Sequence, residues 1–108
     1  MRMRITGRWR IVDMELWDQD AIDLLGPAFI EIGPRNDGSF RFVAVEGRAD
    51  IREVERDGRP GIEFSWDGND ECEPANGRGW ATLRRDGSLS GRIYMHGGDD
   101  SAFRAVQE

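Results

Sequence analysis

Three short runs concentrate the reactive side chains of this chain: WDQD at 17–20, WDGNDECE at 66–73 and HGGDD at 96–100. In each, a ring precedes carboxylates: Trp17 before Asp18, Trp66 before Asp67, Asp70 and Glu71, and His96 before Asp99 and Asp100. Aromatic faces beside carboxylates suit a cation, either an organic small molecule or an Arg or Lys side chain of a partner protein. Two of the rings also have structural readings. Trp66 continues the alternation of Ile62 and Phe64 and so belongs to a core before a rim, while Trp17 could equally staple a neighbouring helix.

Other chemistry is narrower. Asp67, Asn69, Glu71 and Glu73 alternate as in a calcium loop, but Cys72 stands where the sixth-position Gly belongs and Arg78 where the twelfth-position Glu belongs. An EF-hand is excluded, which leaves only a looser cation site that would draw on Asp99 and Asp100. His96 is the single histidine, so it is the one imidazole available as a general base, with Cys72 or Ser101 as candidate nucleophiles at the same end. No nucleophile-elbow or papain-like sequence surrounds either. Cys72 is the single cysteine, so neither an internal disulfide nor a thiolate-rich metal site is expected, and no cofactor is implied.

Charge limits the partners further. The net charge of -6 disfavours a phosphate backbone or an anionic bilayer, so neither nucleic acid nor membrane is expected. Every basic residue is Arg, which reads as compositional bias rather than as fifteen guanidinium sites. Arg2, Arg4, Arg8 and Arg10 precede no apolar run of signal-peptide or membrane-spanning length, so a cytoplasmic location is expected.

The elements that must position these residues are strands. Turn pairs recur at Asn36-Asp37-Gly38, Asp57-Gly58, Asp67-Gly68, Asn76-Gly77, Asp86-Gly87 and Gly97-Gly98, and period-two alternation runs between them. Eight strands are predicted: Thr6–Leu16, Ala28–Gly33, Ser39–Val45, Ala49–Glu55, Gly61–Trp66, Gly79–Arg84, Ser88–His96 and Ser101–Val106. In the first, Trp9 and Ile11 share one face while Val12, Met14 and Leu16 share the other, which requires a bulge near Ile11. A similar slip is expected between Ile51 and Val54. One helix interrupts the pattern, with Asp18 or Asp20 as N-cap, apolar Ala21, Ile22, Leu24 and Leu25, and Gly26-Pro27 as its stop. Val43 and Val45 are expected outward beside Glu31, Arg41 and Glu63; with Val12, Met14 and Leu16 they would form a dimer surface or a seat for that helix.

The Gly7-Arg8-Trp9 triplet opening strand one, the long connection after it and Arg104 in the last strand resemble the calycin (lipocalin-like) pattern. That resemblance implies a Trp plugging the closed end of an eight-stranded barrel, with a basic residue from the final strand, here Arg104, over its ring. The runs MELWDQD, EFSWDGNDE, GRGWA and GDDSAFRA resemble a family of small bacterial proteins of unknown function.

The expected fold is therefore all-β: residues 1–108 as one small antiparallel up-and-down barrel of about eight strands, with one short helix after strand one. In such a meander, connections after odd-numbered strands share one end. Those are WDQDAIDLLG, EGR, DGNDECEPANG and HGGDD, which gather carboxylates with Arg48 as their main opponent; PRND, RDGRP and RRDG collect Arg35, Arg56, Arg59, Arg84 and Arg85 at the other. The favoured function is a non-catalytic binding module whose acidic mouth, formed by Trp17, Asp18, Trp66, Asp67, Asp70, Glu71, His96, Asp99 and Asp100, takes a cationic group of a small molecule or protein. The alternatives are a small hydrolase or isomerase using His96 with the mouth carboxylates, and a filled barrel that acts through its outer surface. Occupation of the interior by Trp9, Phe42, Phe64, Trp66 and Trp80 separates the first from the last.

Overall fold

A computed structural model describes residues 5–108; Arg2 and Arg4 lie outside the described residues. The elements run β1 (Gly7–Met14), α1 (Gln19–Ile22), β2 (Phe29–Ile32), β3 (Asp37–Phe42), β4 (Val45–Arg56), β5 (Arg59–Asp70), β6 (Glu73–Leu83), β7 (Leu89–Met95) and β8 (Asp100–Gln107). Each strand pairs antiparallel with the next, and β8 pairs back onto β1, so eight strands close an up-and-down barrel. No helix among the described residues is long and apolar enough to cross a membrane.

Alternation sets the two faces. Along β5, Ile62, Phe64 and Trp66 are buried while Glu63, Ser65 and Asp67 are exposed. On β1 the alternation is broken where the register against β8 shifts between Ile11 and Asp13, and this bulge lets Trp9, Ile11 and Met14 all point inward. The slip expected on β4 does not occur: its pairing with β5 is continuous from Val45 to Arg56, which leaves Val54 outside and partly exposed.

Side chains occupy the interior from end to end. At the base, Trp9 is 1% exposed and its indole donates to the Ile5 carbonyl at 2.9 Å. Above it, the Phe40 ring meets Phe42 at 5.7 Å and the edge of Trp66 at 5.0 Å. Inward-facing glycines make space for these rings. A Cβ on Gly47 would lie 2.6 Å from Phe40 Cζ and 2.8 Å from Trp66 Cε3, and one on Gly79 would overlap Phe64. The far end is stoppered by Ile22 of α1 and by Trp17, whose ring lies 5.7 Å from Phe42.

Several expectations need correction. The β3–β4 turn is Val43–Ala44 rather than Glu46–Arg48, so Val45 enters β4 facing the core and is buried, not outward. Asp67-Gly68 and Asn76-Gly77 lie inside β5 and β6, where Asp67 pairs with Asn76, Gly68 with Ala75 and Gly77 with Trp66; the turn is Glu71–Cys72. Trp80 faces outward, with the Arg56 guanidinium over its ring at 4.0 Å, because Gly79 and Ala81 take the inward positions. Arg104 is exposed on the outer wall, 3.8 Å from Asp86, and has no place over the enclosed Trp9.

Candidate functional site: the acidic pole

The odd-numbered connections do meet at one end, and backbone hydrogen bonds stitch them into a ring. Glu15 N–H donates to Ala102 C=O at 3.0 Å, Val43 to Ile22 at 2.9 Å, Glu71 to Ala44 at 3.1 Å and His96 to Asn76 at 2.7 Å. The first joins the β1–β2 connection to β8, the second joins α1 to the β3–β4 turn, the third joins that turn to the β5–β6 turn, and the fourth closes the circuit at β7. Strand parity thus brings Asp18, Asp70, Glu71 and Asp99 to one pole although up to eighty residues separate them.

The sequence-predicted residues take four kinds of position there. Asp18 caps α1, its carboxylate accepting from Ala21 N–H at 3.0 Å. Asp70, Glu71, Asp99 and Asp100 occupy the tips of the β5–β6 and β7–β8 hairpins, and Asp100 is held by Arg92. Asp67 sits lower, on the outer wall between Arg48 and Asn76 of the flanking strands. Trp66 is withdrawn into the core at 4% exposure, its indole donating to Tyr94 C=O at 3.2 Å, and Trp17 seals the barrel end rather than standing free on a rim. The pole is an outer surface and not the mouth of a channel.

The chemistry available is that of separate carboxylates. Among the described residues no three Asp, Glu, His or Cys side chains converge closely enough to hold a metal ion, so the looser cation site with Asp99 and Asp100 does not form. His96 is exposed, and among the described residues its imidazole makes no hydrogen bond or ion pair with a carboxylate or hydroxyl that would orient it. Ser101 is buried, with Oγ donating to Ala102 C=O at 2.9 Å and accepting from Leu16 N–H at 3.4 Å. Cys72 is exposed in the β5–β6 turn.

One carboxylate at this end is already committed. Arg10 grips Asp23 through both guanidinium nitrogens at 2.9 and 2.7 Å, and the same carboxylate accepts from Ala28 N–H at 2.9 Å and Gln19 Nε2 at 2.8 Å. The bonds from Arg10 hold the Asp23 carboxyl well below the usual carboxylate range. Asp23 therefore anchors the β1–β2 connection, a role that the sequence hid because its partner lies thirteen residues upstream in β1. Leu24 and Leu25, apolar positions of the expected helix that should bury with Ile22, are 62% and 52% exposed, because α1 ends after one turn and only Ile22 reaches the core.

No family model matches the chain, and no curated protein matches it. The fold and the pole define its class: a closed eight-stranded barrel with a filled interior and an acidic outer end.

Proposed function

We propose that this protein is a non-catalytic binding module that works from the outside of its barrel, its acidic pole taking a cationic side chain of a partner protein. The observation that carries this reading is the packed interior: Phe40, Phe42, Phe64 and Trp66 fill the space a carried ligand would need, and the carboxylates lie outside it. Asp18, Asp67, Asp70, Glu71 and Asp99 have no ion-pair partner among the described residues, and Arg48 is the nearest basic neighbour on the wall. A surface that presents several unpaired carboxylates steers basic partners and raises their association rate.

The Gly7-Arg8-Trp9 start and the buried Trp9 at the base support kinship with calycin-like barrels, with Arg104 as the point of departure. The single cysteine is in keeping with a reducing bacterial cytoplasm as the site of action.

The test is to replace Asp67, Asp70, Asp99 and Asp100 together by Asn. None of the four is buried, and the one ion pair lost, Arg92–Asp100, lies at the surface, so the fold is expected to survive, while retention of Arg- or Lys-rich partners in a pull-down at low salt should fall at least about tenfold. Recovery of the same partners in the same amounts would refute the reading.

A further inference from the structure

The large apolar side chains exposed among the described residues are Leu16, Leu24, Leu25 and Tyr94, and the first three belong to the β1–β2 connection. Leu24 and Leu25 are not on a frayed loop. The residue before them, Asp23, is clamped by Arg10, Ala28 and Gln19; Ile22 is buried and bonded through its carbonyl to Val43; and Gly26 N–H returns to the Asp23 carbonyl at 3.0 Å. Two neighbouring leucines are thus held toward water by a fixed backbone. Burying them would gain apolar contact without ordering the chain first, which is the condition that favours tight association.

The surroundings specify the occupant. Residues 15–28 carry Glu15, Asp18, Asp20 and Asp23 and no Arg, and the guanidinium laid against their far end, Arg41, is engaged with the Pro27 carbonyl at 3.1 Å beside Gly26. Glu15 is paired with Arg92 and Asp23 with Arg10; Asp20 and Asp18, the latter capping α1 with one carboxylate oxygen, have no ion-pair partner among the described residues and so carry the charge that would meet a partner. A second copy of this chain is a poor fit. Face to face, the Asp18 and Asp20 of two copies would confront each other; head to tail, the turns bearing Arg35, Arg84 and Arg85 expose no large apolar side chain to cover the leucines. Anionic lipid would be repelled by the same aspartates.

We infer that Leu24 and Leu25 form the apolar centre of a protein-docking site whose partner segment presents apolar side chains flanked by Arg or Lys. The inference extends the reading of the acidic pole to the β1–β2 connection, but it rests on different residues and can fail separately.

The probe is a synthetic amphipathic peptide with Leu on one face and Lys on the other, titrated into the isotopically labelled protein by NMR and calorimetry. Binding is expected to shift the amides of Asp18–Gly26. It should weaken at least about tenfold in a Leu24→Ser/Leu25→Ser variant and in a peptide with Ser for Leu, and clearly in Asp18→Asn/Asp20→Asn, which keeps a capping side chain at position 18. The parent spectrum confirms that each variant folds, since all four side chains are exposed. The inference is overturned if the peptide fails to bind, if it binds the Leu24→Ser/Leu25→Ser variant as tightly as the parent, if phosphatidylcholine vesicles capture the parent instead, or if the leucines prove to mediate self-association. Loss of binding in the serine variant with none in the Asp67, Asp70, Asp99 and Asp100 variant would uphold the docking site and reject the hairpin-tip carboxylates. The opposite pattern would do the reverse.

Discussion

Asp23 shows how one carboxylate can govern a loop. Its folded-state pKa is depressed by the two bonds from Arg10, so the interaction contributes its full stability above about pH 4, the unfolded carboxyl value. That contribution is lost as the pH falls through the lower folded value. Asp23→Asn should therefore cost about 2 kcal/mol at neutral pH, because it breaks a two-pronged ion pair that is only a quarter exposed and leaves Arg10 under-satisfied. Urea unfolding at pH 7 and at roughly pH 2 checks this: the gap between parent and variant should narrow in acid. At this scale the sequence was partly legible. Trp66 follows Ile62 and Phe64 inward as alternation requires, whereas Trp80 has the same composition-level credentials for a core and lies outside. The small residues on either side of it, Gly79 and Ala81, are the inward ones, and size alone does not announce that.

Turns divide the elements into those that sequence reveals and those that it conceals. Asp57-Gly58, with φ of +52° and +75°, is a hairpin turn of the residue types that tolerate such angles, and it was found where expected. Glu71–Cys72 adopts the same signs of φ, +50° and +72°, with neither Asn nor Gly to advertise it. Val43 takes +54°, a costly angle for a β-branched residue, so residue type alone starts the β3–β4 turn three residues too late. Conversely, Asp67-Gly68 and Asn76-Gly77 look like turns but are strand glycines where backbones and rings approach closely. The eight strands survived these errors because the inward alternation outlasts any one turn, yet the acidic loops of the site became hairpin arms. Glu71→Asn with Cys72→Gly should relieve the left-handed strain and stabilise the protein by about 1 kcal/mol, seen as a higher midpoint in thermal unfolding. A lower midpoint would mean that Glu71 and Cys72 make contacts worth more than the relief.

At the scale of the molecule, a filled interior makes the barrel a scaffold rather than a container. Protein taken from its own cells should appear in native mass spectrometry at the mass of the polypeptide, with no small molecule retained through gentle ionisation. A persistent added mass would place a ligand where the rings now pack. The long axis of 39 Å matches β4 and β5, whose twelve residues each span about 40 Å when extended, and these strands overrun their neighbours. Among the described residues, the β4 segment Arg52–Arg56 runs past the start of β3 with no ladder partner on that side, as does the β6 segment from Glu73 to Ala75 past the end of β7. Both overhangs are strand edges that another chain could extend, but the first is charged at Arg52, Glu53, Glu55 and Arg56, and the second holds Pro74, which has no N–H to offer. Fibril growth by strand addition is thereby discouraged along both of these overhangs.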